Sequence, residues 1–345
     1  MHQSTKNGIL IVGPIFNTPS GPSGPGGILY KRLKAEKKLV FRKSAFKGKL
    51  LRMLDTISFA LFKSHKYDII LLQSFGLLAF VMEDLISKIA KILDKKIAFT
   101  LHGGAFLEFY QRYPKWVTRV LKRANIINTP SLYLQKTFEA LGFQVEYMPN
   151  FIDLSKFQFK RDVTHKHSLL WVRGFHDIYN PELAIEIVEK LKLSYPNITL
   201  TMIGPDKGLL STCKALIQSK GLQDNVIILG YISNDLLYKY YQTHQIFLTT
   251  TRYESFGVAI IEAASCGIPC VSTKVGEIPY LWQDGYDMIL CERDAADFAN
   301  KIGELFENVK LRNKISLNAK VTAEKFTWEK IRPLWIDTIN RLKNK

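Results

Sequence analysis

Residues 252–269 read Arg252-Tyr253-Glu254-Ser255-Phe256-Gly257-Val258-Ala259-Ile260-Ile261-Glu262-Ala263-Ala264-Ser265-Cys266-Gly267-Ile268-Pro269. A β-rich run, Ile246 to Thr249, leads into this stretch, and the apolar segment from about Gly257 to Ser265 has helical spacing until Gly267 and Pro269 stop it. Strand, short loop and helix form the unit from which parallel α/β sheets are built. Glu254 stands before the helix and Glu262 inside it, eight positions later. At a helix start the amides of Phe256, Gly257 and Val258 are donors without intrahelical partners, suited to an anionic or hydroxyl-rich ligand. A carboxylate on each flank can accept hydrogen bonds from vicinal hydroxyls. A diol together with phosphate is the chemistry of a sugar nucleotide.

The same alternation runs outward in both directions. Strands are expected at Gly8–Gly13, Asp68–Gln73, Ile97–Leu101, Ile126–Thr129 and Val145–Met148, then at Leu169–Val172, Thr199–Ile203, Val226–Leu229, Ile246–Thr249, Pro269–Ser272 and Met288–Cys291, with helical segments between them. The fold class is α/β, with two Rossmann-like, doubly wound parallel sheets. A turn-rich linker, Met148 to Asp153, sets the domain boundary near 157, giving domains 1–157 and 158–326. Trp328, Ile331, Leu334, Trp335 and Ile339 form an apolar stripe on a final helix, 327–345, expected to pack back on the first domain. Ligands of such sheets bind at the carboxyl ends of the strands, so the chemistry is expected in a cleft that the two domains face.

The 345 residues suit two domains, and a hydrophobic share of 47% suits chains that bury a core. No apolar run is long enough to span a bilayer, and the N-terminal segment lacks the pattern of a signal peptide, so a cytoplasmic location is expected. Cys213, Cys266, Cys270 and Cys291 show no CxxC pair or zinc-ligand spacing and read as buried, reduced thiols. Charge is uneven: 24 Lys and Arg oppose 10 Asp and Glu in residues 1–157, whereas 24 oppose 21 in the remainder. Residues 31–66 hold twelve basic side chains against Glu36 and Asp55, which points to an anionic partner. Within that stretch Phe46, Leu50, Met53, Leu54, Ile57 and Leu61 recur at helical intervals, predicting a helix that buries this face against the first sheet. No nucleic-acid reading motif accompanies the charge, so no specific nucleic-acid partner is expected.

The segment 252–269 resembles the Glu-x7-Glu signature of retaining glycosyltransferases of family 4 (the glycosyl transferases group 1 superfamily), which have the GT-B fold. Met148-Pro149-Asn150-Phe151-Ile152-Asp153 with Phe157 resembles the family's linker; Leu229-Gly230-Tyr231-Ile232 resembles the strand end that meets the nucleotide base, and Val275-Gly276-Glu277-Ile278-Pro279 the loop after the signature. The resemblance implies that Glu262 holds the ribose diol, that Glu254 contacts the donor sugar, that Ile232 lies at the base, and that Phe256, Gly257 and Val258 offer amides to sugar hydroxyls and phosphate. It further implies that His102, in Thr100-Leu101-His102-Gly103-Gly104, faces the donor sugar, and that Gly26 and Gly27 belong to a glycine-rich loop after the first strand, at which backbone meets the donor phosphate or acceptor.

One departure stands out. The family's Gly-Arg and following Lys, which neutralise the diphosphate, are here Arg173, shifted by one place, and Tyr179; Lys207 is a candidate substitute. None of the fifteen Asp residues lies two places from another, so no Asp-x-Asp metal site is expected, and no cofactor beyond the nucleotide-sugar substrate. The resemblance implies a metal-independent, retaining hexosyltransferase that moves a sugar from a nucleotide sugar to a glycan or lipid-linked acceptor. Bacterial cell-envelope or surface polysaccharide or glycolipid synthesis is the expected setting, with an anionic membrane surface as partner at the inner face of the plasma membrane. The alternatives are a nucleotide-sugar epimerase and an inactive relative that only binds glycan or nucleotide sugar.

Overall fold

Ile9, Leu10, Ile11 and Val12 are all at most 1% exposed, the mark of a strand covered on both faces. They form β1 (Ile9–Val12) of a six-stranded sheet. The computed structural model describes residues 8–13, 15, 17–18, 21–22, 24–43, 48–76, 79–160 and 163–344. With β2 (Val40–Lys43), β3 (Ile69–Ser74), β4 (Lys96–Leu101), β5 (Ile126–Thr129) and β6 (Glu146–Tyr147), β1 makes a parallel sheet of order β2-β1-β3-β4-β5-β6. Strand β2 escapes the sequence expectation because Val40-Phe41-Arg42-Lys43 has two apolar and two basic residues; it is an edge strand, and all four are only half-buried.

The second sheet consists of β7 (Ser168–Val172), β8 (Thr199–Ile203), β9 (Val226–Gly230), β10 (Ile246–Thr249), β11 (Cys270–Thr273) and β12 (Ile289–Cys291), also parallel. Its order, β9-β8-β7-β10-β11-β12, reverses between β7 and β10. Alternate residues feed two cores: Leu169, Trp171, Leu200 and Leu248 face one layer of helices, and Leu170, Val172, Ile203 and Phe247 the other. Each such fully buried side chain stabilises the fold by up to about 1.5 to 3 kcal/mol.

The chain divides into two units, 1–150 with 331–345, and 151–330. The boundary thus falls at 150 rather than near 157, because Ile152 and Phe157 are buried in the second unit's core and the Ile152 amide donates to Phe326 O. The last helix, Trp328–Asn344, buries Trp328, Ile331, Trp335 and Ile339; Leu334, expected in that stripe, is 42% exposed. Arg341 forms a paired hydrogen bond with Glu146 at 2.7 and 2.6 Å.

Two further expectations need correction. Gly26 and Gly27 lie not in a loop but in the helix Gly24–Ala35, where both are buried; part of the 13–27 segment is outside the described residues. The apolar stripe of 46–61 does lie on a helix, Lys49–Phe62, with Phe46 outside the described residues. Ile57 packs against the first core, but Leu50, Leu54 and Leu61 point away from it and are 65%, 51% and 43% exposed. The side chains that cover the sheet are instead Thr56, Ala60 and Phe59. All four cysteines are buried free thiols. No helix of the described residues is long and apolar enough to cross a membrane.

Candidate functional site

The reversal between β7 and β10 leaves a crevice at their carboxyl ends, where open α/β sheets hold ligands. Arg173 follows β7 directly, and 250–255 follows β10. Sequence fixes these loops against each other. The Thr250 hydroxyl, which accepts from Trp171 Nε1 at 3.2 Å, donates to Asn180 O at 2.8 Å; the Thr251 hydroxyl donates to Ile178 O at 2.9 Å, and the Arg252 amide to the same carbonyl at 2.7 Å. A Cβ at Gly204 would stand 1.7 Å from Arg173 O, so only glycine allows the β8 end to press on the Arg173 backbone.

Arg173 Nη2 donates to Glu254 Oε2 at 2.5 Å, and both side chains are nearly buried. Burial opposes the Arg173 charge, but Glu254 and the surrounding hydroxyls outweigh it and raise the guanidinium above its ordinary range. The Tyr179 ring lies under the same guanidinium, 5.4 Å from centroid to Cζ. The aromatic side chain at the family's lysine position therefore supports the arginine. Arg173 Nε is buried and has no partner among the described residues.

Glu254 is held at both ends. Its Oε1 accepts from the Ser255 and Phe256 amides at 3.1 and 3.4 Å. Its carbonyl accepts from the Glu277 amide at 2.8 Å, and a Cβ at Gly276 would come within 2.2 Å of that carbonyl. The Val275–Pro279 loop thus clamps the Glu254 backbone. Of the three amides expected to meet a ligand, that of Phe256 is turned to Glu254, and the Phe256 ring is buried against Phe326. Gly257, at φ 84°, is the N-cap of the helix Val258–Ser265, which has no side-chain cap, and Val258 is exposed.

Glu262, 4% exposed in that helix, accepts from Asn234 Nδ2 at 3.1 Å and from the Tyr241 hydroxyl at 3.4 Å. Burial pushes its carboxyl up to about 7, against the lowering effect of Asn234, Arg173 and Tyr241. Ile232 is half-buried two residues beyond β9. Lys207 is exposed; its Cγ would be 3.1 Å from a Cβ at Gly174, which brings its stem beside the residue after Arg173. Asn234 and Tyr241 were missed from the sequence, since their distance of 28 and 21 positions from Glu262 follows no short motif.

In the first unit, His102 follows β4 and is 4% exposed. Its Nε2 donates to Gln73 Oε1 at 2.8 Å, and its ring stacks on Phe75 with centroids 4.6 Å apart. Burial lowers its pKa to about 3, which favours the neutral imidazole. Gly26 backs this arrangement: a Cβ there would meet Gln73 Cγ at 3.0 Å. Glu83, not singled out in the sequence, accepts a hydrogen bond from Ser74, and burial raises its pKa to about 8. Among the described residues no group of three or more His, Cys, Asp or Glu side chains could gather a metal ion.

Two Rossmann-like units, one of them with a buried arginine-carboxylate pair at the switch point of its sheet, define a protein of the GT-B type. Sequence profiles agree: "Glycosyl transferases group 1" matches residues 155–322 and "Glycosyltransferase Family 4" residues 20–156. The chain belongs to the group 1, family 4 glycosyltransferases. It is 27% identical over 199 residues to N-acetyl-alpha-D-glucosaminyl L-malate synthase of Bacillus anthracis, covering 54% of this chain and 51% of that protein. It is 26% identical over 170 residues to D-inositol 3-phosphate glycosyltransferase of Acidothermus cellulolyticus, covering 47% and 38%. The chain thus spans about half or less of the length of these curated relatives. Anabaena HepE in complex with UDP and glucose shares the fold, with a TM-score of 0.77 at 17% identity over 97% of this chain and all of that one. Sucrose-phosphate synthase of Thermosynechococcus elongatus does likewise, with a TM-score of 0.77 at 17% identity over 98% and 99%.

Proposed function

We propose that this chain transfers a hexose from a nucleotide sugar to an acceptor hydroxyl, with retention of configuration and without a metal ion, in the synthesis of a bacterial cell-envelope or surface polysaccharide or glycolipid. The observation that carries the reading is Arg173: buried, charged, stacked on Tyr179, and with Nε unpartnered among the described residues. A phosphate oxygen would satisfy that donor with a charge-assisted hydrogen bond. Glu262 would accept from the ribose hydroxyls, Glu254 would exchange part of its contact with Arg173 for a sugar hydroxyl, and Lys207 would extend the positive charge over the second phosphate. The bond from the anomeric carbon to the donor phosphate breaks, the acceptor oxygen takes its place, and the acceptor proton leaves with the phosphate. Stabilising the developing phosphate charge is then the main catalytic task of Arg173. Glycosyl transfer by the two named relatives supports the reaction class, and UDP bound to a fold neighbour makes UDP-sugars the first donors to try.

The test is donor hydrolysis over UDP-, GDP- and ADP-sugars in EDTA. One donor should turn over, and Glu254→Gln should lower kcat while Glu262→Gln raises KM. An altered nucleotide sugar released without hydrolysis would mean an epimerase. Tight binding with no turnover, in the presence of candidate acceptors, would mean an inactive relative.

A further inference from the structure

The helix Lys49–Phe62 is apolar on two sides, and among the described residues only one of them is covered. Thr56 and Ala60 are fully buried, and Ile57 and Phe59 pack against the first core. On the opposite side Leu50, Leu51, Leu54, Leu61 and Phe62 are 65%, 62%, 51%, 43% and 76% exposed. At about 100° per residue these five and Ser58 fall within an arc of roughly 120°, so they form one continuous face. Surface helices of water-borne domains carry polar residues there, and an apolar face of this size marks an interaction surface.

The charge around the helix says what covers it. Asp55, the helix's one acid, is paired with Lys43 at 2.8 Å, and Glu36, the other acid of residues 31–66, is paired with Arg332. Both negative charges of the stretch are therefore paired, while Lys31, Lys34, Lys37 and Lys63 are exposed. Lys63, the C-cap of the helix, is exposed beside Phe62, and Lys66 follows in the next turn. A second copy of the chain would bring the same positive surface against this one. A bilayer with anionic headgroups offers negative charge at its surface and apolar depth beneath it.

We infer that the helix Lys49–Phe62 lies in the interface of an anionic bilayer, with Leu50, Leu51, Leu54, Leu61 and Phe62 inserted and Lys63 and Lys66 among the headgroups. Membrane docking of this kind requires no donor turnover, so it stands or falls separately from the glycosyl-transfer reading. The experiment is co-sedimentation of the full chain with vesicles of phosphatidylcholine alone or of phosphatidylcholine and phosphatidylglycerol in equal parts. The wild-type chain should bind the mixed vesicles, and part of that binding should survive high salt, because inserted apolar surface is not screened. Leu54→Glu with Phe62→Glu should lower binding about tenfold or more, and Lys63→Gln with Lys66→Gln about fivefold or more at low salt. Leu54, Phe62 and Lys63 are exposed and Lys66 is half-buried, and circular dichroism would check that the variants stay folded. Equal binding to pure phosphatidylcholine, wild-type binding by the Leu54→Glu, Phe62→Glu variant, or complete release by salt would overturn the inference. A concentration-dependent dimer that this variant abolishes, without vesicle binding, would assign the face to a second copy and overturn it as well.

Discussion

Glu262→Gln separates the two things that the buried carboxyl does. Burial raises the carboxyl from 4.5 to about 7, so the folded chain holds a proton there that the unfolded chain releases. A folded-state pKa above the unfolded one means that stability from this group is greatest below about pH 4.5, falls as pH rises, and is fully lost above about 7. At about 1.4 kcal/mol per pH unit, the loss reaches at most about 3 kcal/mol. Gln keeps the shape and cannot ionise. The variant should therefore gain on wild type by up to that amount between about pH 5 and pH 8. For a unit of this size that is roughly 2 to 4 °C in Tm per kcal/mol, read by calorimetry at both pH values.

Ligand binding should move the other way. If ribose hydroxyls donate to Glu262, the ionised form binds, and nucleotide affinity should improve by up to about tenfold per pH unit towards about pH 7 and then level off. Glu262→Gln should remove this dependence and cost about 1.5 to 3 kcal/mol of binding at pH 8, measured by titration calorimetry with UDP or whichever nucleotide the hydrolysis assay selects. A stability difference that ignores pH would refute the raised carboxyl. A variant that binds with the wild-type pH profile would refute the ribose assignment while leaving the stability argument intact.

Lys207→Ala should lower kcat about tenfold or more if this lysine shares the diphosphate with Arg173; unchanged kinetics would return it to a solvated loop. Activity should persist in EDTA, and a loss that Mg or Mn restores would overturn the metal-free mechanism. Gly276→Ala should lower kcat with no change of KM for the acceptor, because a Cβ 2.2 Å from Glu254 O must displace the signature loop; wild-type kcat would show that the Val275–Pro279 clamp does not set the position of Glu254.

Most strands of both sheets were legible because buried parallel strands are rich in apolar β-formers, and Ile126–Thr129, Thr199–Ile203 and Ile246–Thr249 have the bounds expected from the sequence. The edge strand Val40–Lys43 was not, since one open side removes the selection for apolar residues that makes a strand visible. The helix Lys49–Phe62 failed for the opposite reason: periodicity reports an apolar face and says nothing about whether the fold covers it. At the site, Glu254, Glu262 and Arg173 could be read because their spacing to a strand end or a helix start is local. What sets their chemistry is remote in sequence: Tyr179 beneath the guanidinium, Asn234 and Tyr241 on the carboxyl, Gly276 and Glu277 behind the first glutamate. Tyr179 shows the consequence. As a letter at a lysine position it argues for a lost clamp. As a ring 5.4 Å from a buried guanidinium it argues for an arginine held in place, and whether Lys207 supplies a second charge is what the Lys207→Ala kinetics decide.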